Sequence, residues 1–302
     1  MSITSVKQDS GARPKVTVHT IQQKKLQRER ITCLTAYDYA TARLVDEAGV
    51  DMVLVGDSLG MVVLGYENTM PVSMEEMLHH TKAARRGVKS ALLIADMPYG
   101  AYHLGNQEAL RNASRFMKES GAEAVKIEGG QKRVELVHRL LDAEIPVMGH
   151  IGLTPQSLHT MGGYKVQGKT LAAVEQLMRD AVALDRAGIF SLVLEGIPRQ
   201  VAAMITAEIH APTIGIGAGP ECDGQVLVLH DILNLSFSPP AKFVRQYGDA
   251  AGLIRNAVQH FKQDVEAGSY PNEEESYHLS AETGAALEAI RFRKEAMRSS
   301  KT

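Results

Sequence analysis

Four acidic side chains occupy equivalent places in a weak internal echo of the chain. Gly49 precedes an apolar run that finishes at Asp57, and Gly87 leads through ALLIA to Asp96. Gly121 leads through AVKI to Glu128, and Gly188 leads through SLVL to Glu195. A fifth run, at 146–149, delivers His150. One acid at the end of a strand is more often a helix cap or a solvated loop residue. Four at the same relative position favour a shared site. Carboxylates crowded into one small mouth repel each other, so some must stay protonated unless a cation intervenes. Oxygen-only ligation selects a hard divalent ion such as Mg²⁺ or Mn²⁺. The pattern leaves open which two or three of the acids would hold it.

Other polar residues sit close to these acids. Along a strand the side chains alternate, so Lys126 and Glu128 share a side, opposite Val125 and Ile127. A lysine facing a barrel interior is costly without an anion, which makes Lys126 a candidate for gripping a carboxylate. Ser58, next to Asp57, could donate to the same ligand or cap a helix. His150 could orient the acids or be a satisfied structural histidine. The pair His79-His80 falls mid-helix and reads as surface.

The elements that must position these residues are legible from hydrophobic pattern. Of the short apolar runs at 31–37, 52–56, 91–95, 124–127, 146–149, 191–194, 212–216 and 225–229, most lack polar alternation, as strands buried on both faces do. The segments between them have helical spacing. Ser73 with Glu76 makes a capping box, and Gly87 reads as the stop of that helix. In 170–188 a stripe of Leu171, Val174, Met178, Ala181 and Leu184 ends at Gly188. The order predicts an α/β protein, a parallel (β/α)₈ TIM barrel, whose strand C-termini converge on one face. A doubly wound sheet is the rival, but Gly215, Gly217 and Gly219 come late and lack the third glycine of a dinucleotide fingerprint. We expect a mobile N-terminal tail at 1–15, a single barrel domain at 16–272 and a charged, helical C-terminal extension at 273–302.

Composition narrows the function classes. The 302 residues carry 33 Lys+Arg against 35 Asp+Glu, a formal net charge of −2, which argues against a phosphate-binding stripe for nucleic acid. No apolar run approaches the roughly 18 residues of a membrane span, and residues 1–15 lack the apolar core of a secretory signal. The two cysteines, Cys33 and Cys222, form neither a disulfide framework nor a zinc motif. A soluble, cytoplasmic protein that binds neither nucleic acid nor a membrane is the expectation, and its small-molecule substrates follow only from the resemblance below.

At the acid-bearing runs the chain resembles the ketopantoate hydroxymethyltransferase family. The matching segments, in order, include TAYDYATARL at 35–44, VLVGDSLGMVVLGYENTMPV at 53–72, LLIADMPYGAY at 92–102, VKIEGG at 125–130, GHIGLTPQS at 149–157, GGYKVQGK at 162–169, LVLEGIP at 192–198 and IGIGAGPECDGQVLV at 214–228. The resemblance covers about residues 16 to 278. It implies a Mg²⁺-dependent (β/α)₈ barrel that assembles as a homo-oligomer, a decamer. It further implies transfer of a hydroxymethyl group from 5,10-methylenetetrahydrofolate to 3-methyl-2-oxobutanoate, through a Mg-stabilised enolate, in pantothenate biosynthesis. Carried over by residue, it assigns metal binding to Asp57, Asp96 and Glu128, with Glu128 in the outer shell or acting through water. Substrate contacts fall to Asp57, Ser58, Asp96 and Lys126, and the acid/base role to Glu195. The tail beyond His278 is longer than the family's usual one, and 220–223 is variable. A carbon–carbon lyase or mutase on a similar barrel, and a non-catalytic metabolite binder, are the competing readings.

Overall fold

Eight strands alternate with helices along the first part of the chain: β1 (Ile31–Thr35), β2 (Met52–Val55), β3 (Leu92–Asp96), β4 (Ala124–Glu128), β5 (Val147–Gly152), β6 (Ser191–Glu195), β7 (Thr213–Ile216) and β8 (Gly224–Leu227). The structure, a computed structural model, describes residues 13–299. Neighbours pair in parallel all the way round, and β8 returns to β1, closing the barrel. Each of the eight apolar runs read from the sequence contains or overlaps one strand. The expected barrel is the observed one.

The period of two sorts the strand side chains. Met52, Leu54, Leu92, Ile94, Ala124, Met148, Val193, Ile214 and Val226 pack together inside the barrel. Val53, Leu93, Ala95, Val125, Ile127, Val147, Leu192 and Leu194 face outward and pack with the helices. Burying each such Val, Leu or Ile contributes about 1.5–3 kcal/mol, which makes the alternation hard to slip. Below the interior layer, Ile21 on the helix Val18–Gln27 joins the same cluster.

Helix boundaries follow local chemistry. Ser73 and Glu76 form the reciprocal capping box that opens the helix Met74–Gly87. Gly87, read from sequence as a stop, does end that helix, and it does so inside a close crossing. A Cβ there would lie 2.6 Å from the Tyr39 carbonyl oxygen and 2.7 Å from the Arg43 nitrogen. Helix packing, not a left-handed cap, requires the glycine. In the helix Leu171–Ala187 the buried stripe is Leu177, Ala181, Leu184 and Ala187. Leu171, assigned to the stripe from spacing, lies in the first turn and is exposed.

The chain divides into two compact units, one running through Gly248 and one starting at Asp249. Residues 249–272, grouped with the barrel from sequence, therefore cluster with the C-terminal unit, which contains the helices Ala250–Ala267 and Ala281–Ser299. Most of the tail expected at 1–15 lies outside the described residues. Of its last residues, Arg13 donates to the Val50 carbonyl and Lys15 to that of Ala91. Among the described residues no helix is long and apolar enough to cross a membrane.

Candidate active site

The interior-facing positions change character at the C-terminal ends of the strands. Above Leu92 and Ile94 comes Asp96; above Ala124 come Lys126 and Glu128; above Met148 comes His150; above Val193 comes Glu195. Asp57 lies two residues past β2, in the turn that enters the short helix Leu59–Val62. Register sets the neighbours, with Asp96 opposite Lys126, Glu128 opposite His150, and Gly152 opposite Glu195. Asp57, Asp96, Lys126, Glu128 and His150 are each no more than 5% exposed, whereas the Glu195 side chain keeps 17%. The predicted acids, lysine and histidine thus converge on one chamber.

Their contacts are uneven. Lys126 Nζ donates to both oxygens of Asp96, at 2.7 and 2.6 Å, and stands 3.6 Å from Glu128 Oε1. The Asp57 backbone N–H donates to Asp96 Oδ2 at 3.3 Å. His150 bridges two acids, with Nδ1 3.2 Å from Glu128 Oε1 and Nε2 3.3 Å from Glu195 Oε2. Neither ring nitrogen, nor Glu128 Oε1, is aligned for a hydrogen bond. Ser58 shares a hydrogen bond of 2.8 Å with the Tyr37 hydroxyl.

Electrostatics follow from burial and crowding. Burial, and then the charge of Asp96, push the Asp57 carboxyl well above the usual carboxylate range. Burial pushes Asp96 up as well, with Lys126 offsetting part of the rise. For Glu128 burial is outweighed by Lys126 and His150, which hold it below its ordinary value. Burial also opposes a charge on His150, yet the Glu128 carboxylate and the approach of Glu195 raise it to about 9. Lys126 is raised too, because Asp96, Glu128 and Asp57 together overcome its burial.

Gln156 and Tyr102 hold this arrangement, and sequence reading gave neither a role. Gln156 Nε2 donates to Asp57 Oδ2 and to the Met97 carbonyl, both at 2.9 Å, and its backbone N–H donates to Glu128 Oε2 at 3.1 Å. The Tyr102 hydroxyl donates to Gln156 Oε1 at 2.6 Å and accepts from the Glu128 N–H at 3.1 Å. The only signal in the sequence was that both lie within matched segments. Glu195 is positioned differently. At Gly152, where φ is +97°, a Cβ would fall 2.2 Å from the Glu195 carbonyl oxygen, and that carbonyl accepts the Leu153 N–H at 2.8 Å.

The donor set fits a hard divalent cation. Buried carboxyls, two of them disfavoured as anions, and a Glu128 oxygen lacking a hydrogen bond are what such an ion would satisfy. The cage is not preformed: among the described residues no three His, Cys, Asp or Glu side chains converge as metal ligands, and Lys126 occupies both oxygens of Asp96. Above the acids opens a cavity of about 430 Å³ lined also by Ser58, Met61, Tyr164, Asp231 and Phe243. Both cysteines are buried, and burial pushes their thiols up, so neither is a reactive thiolate.

A family model for ketopantoate hydroxymethyltransferase matches residues 15–273. The 3-methyl-2-oxobutanoate hydroxymethyltransferase of Koribacter versatilis (strain Ellin345) is 70% identical over 286 residues, covering 95% of this chain and 97% of that protein. That of Syntrophomonas wolfei subsp. wolfei is 53% identical over 268 residues, with 89% and 97% covered. Two solved structures share the fold at low identity. Phosphoenolpyruvate phosphomutase from Streptomyces platensis subsp. rosaceus has a TM-score of 0.57 and 14% identity, with 93% of this chain and 99% of that chain covered. 2,3-Dimethylmalate lyase, a PEP mutase/isocitrate lyase superfamily member, has a TM-score of 0.55 and 18% identity, with 94% and 100% covered.

Proposed function

Because the chain belongs to the ketopantoate hydroxymethyltransferase family, we propose that it moves a hydroxymethyl group from 5,10-methylenetetrahydrofolate to 3-methyl-2-oxobutanoate, with Glu195 as the base. The observation that carries this reading is the division of labour among the acids. Asp57, Asp96 and Glu128 are buried around Lys126 on the floor of the cavity, whereas the more exposed Glu195 lines the same cavity from another strand end. A divalent cation, Mg²⁺ by family resemblance, would be held by Asp57 and Asp96, with Glu128 acting through water, and would supply Lewis acidity toward the 2-oxo group.

The rest falls to the protein. Lys126 and Ser58 grip the substrate carboxylate and so aim C3 at the incoming one-carbon unit. Glu195 accepts the C3 proton, and His150, between Glu195 and Glu128, orients that carboxylate. Water adds to the methylene carbon as both of its C–N bonds to the folate break, releasing tetrahydrofolate and a formaldehyde equivalent. The deprotonated C3 then adds to that carbonyl carbon, whose oxygen takes a proton and becomes the hydroxyl of 2-dehydropantoate. The family resemblance also implies a decamer. An apolar stripe supports self-association: Ile254, Val258, Phe261 and Val265 are all exposed on the helix Ala250–Ala267.

Proton abstraction does not require the folate to react, so the wild type should exchange the C3 hydrogen of the oxo acid with deuterium from D₂O. Glu195→Gln should bind Mg²⁺ and oxo acid normally and lose that exchange by roughly 10²–10⁴-fold, read by NMR of the methine. Wild-type exchange in the variant would remove Glu195 from the base role.

A further inference from the structure

Resting on the transfer reaction proposed above, we infer that the apolar wall of the same cavity is the seat of the folate's pterin ring, with Phe243 against its face and Asp231 on its edge. The volume comes first. A cavity of about 430 Å³ falls in the range of about 300–1,000 Å³ that encloses drug-sized ligands, and a five-carbon oxo acid on the charged floor leaves much of it unfilled. The remaining lining is of the opposite character. Met61, Tyr164, Ile216, Pro239, Ala241 and Phe243 surround the space above the acids. The flat aminopyrimidinone face of a reduced pterin is a ligand such a wall suits.

Phe243 is set in advance. A Cβ on Gly217 would lie 2.6 Å from its ring, so the ring rests directly on the backbone just beyond β7. The loop that carries it is tied down before and after: the Leu235 N–H donates to the His230 carbonyl at 2.8 Å, and the Tyr247 N–H to that of Ile232 at 2.8 Å. A ring held this way costs little entropy when a ligand stacks on it.

Asp231 supplies the polar end. It lines the cavity from the short helix Leu229–Ile232 after β8, and the Ser236 hydroxyl donates to its Oδ1. Among the described residues no lysine or arginine pairs with it. The 2-amino-4-oxo edge of a pterin presents an amine and a ring N–H side by side, which two carboxylate oxygens match. The charged floor lines the same cavity, so a pterin held by Phe243 and Asp231 would share that cavity with the oxo acid.

Calorimetry tests this with 5-formyltetrahydrofolate as the folate probe, and with Mg²⁺ plus 3-methyl-2-oxobutanoate as the floor probe. Asp231→Asn, which keeps the shape of the side chain, and Phe243→Ala should each weaken the folate on the order of tenfold or more. Oxo-acid affinity should stay within about twofold of wild type, because wall and floor share no binding group. Wild-type folate affinity in both variants, with wild-type turnover of 5,10-methylenetetrahydrofolate intact, overturns the wall assignment alone. Equal losses of both probes overturn it too, since wall and floor would not then be separate sites. A wild type that neither binds the folate nor uses it as donor would sink the proposed reaction itself.

Discussion

The two ends of the barrel treat carboxylates in opposite ways. At the N-terminal end, Asp51 accepts from the Thr32 N–H and hydroxyl, both at 2.9 Å, and meets Lys24 at 2.8 Å and Arg13 at 3.1 Å. Asp223 repeats the device on β7: it accepts from the Thr213 N–H and hydroxyl at 2.8 and 3.1 Å and meets Lys25 at 3.0 Å. Asp46 takes the N–H groups of Lys89, Ser90 and Ala91. At the C-terminal end, Asp57, Asp96 and Glu128 crowd around the single ammonium of Lys126, and an oxygen of Glu128 has no aligned donor. The same residue type is therefore fully paired at one end and left crowded, with an unpaired oxygen, at the other. That is the partition expected of a barrel whose chemistry sits on its C-terminal face.

Breaking the satisfied end should cost the most. Asp51→Ala removes the acceptor for Thr32 and leaves Lys24 and Arg13 without their shared anion. Urea unfolding should show a loss of roughly 3 kcal/mol, while deuterium exchange into the oxo acid by the folded fraction stays near wild type. A loss under about 0.5 kcal/mol would mean that the N-terminal cluster is ornamental.

At the crowded end the sign should reverse. Asp57→Asn removes a buried charge that its surroundings disfavour and keeps an oxygen for Gln156 Nε2. The metal-free protein should gain on the order of 1 kcal/mol in the same urea assay. Mn²⁺ binding, followed by its free-ion EPR signal, should fall at the same time. A destabilised variant would erase the contrast between the two ends.

The smallest effect is a pH dependence confined to the C-terminal end. His150 is raised from its ordinary 6.5 to about 9 by Glu128 and Glu195, against its burial and the charge of Lys126. Its protonation therefore stabilises the metal-free protein fully below about pH 6.5, and that contribution is lost as pH rises through about 9. Thermal melts should drop across that window in the wild type and flatten in His150→Gln. Equal slopes in both would place the titrating group elsewhere.

How much of this was legible in the sequence depended on how local the physics was. Strands buried on both faces announce themselves as short apolar runs, so the barrel could be read from composition along the chain. The side shared by Lys126 and Glu128 followed from the period of two. Gly87 does end its helix, but the packing reason for a glycine there, a crossing with another helix, is invisible in one helix's own sequence. Leu171 was misread because spacing gives a stripe but not where along the helix burial begins. Gln156 has no local signature at all. Its amide acquires meaning only when the segment after β5 folds over Asp57, Met97 and Glu128, residues far from it in the chain.

The contact between Gly152 and the Glu195 carbonyl has a consequence for how the molecule can vary. Glu195 takes its place from the spacing of two adjacent strands, a spacing that tolerates only a hydrogen atom at residue 152. Any side chain there would pry β5 from β6 and move the proposed base with them. The loop after β7 carries close approaches of its own, Gly217 against Phe243 and Gly219 against Arg199, but these do not bear on where the strands put the acid. The position of the proposed base is thereby set by a seam between two strands that is closed to substitution at residue 152.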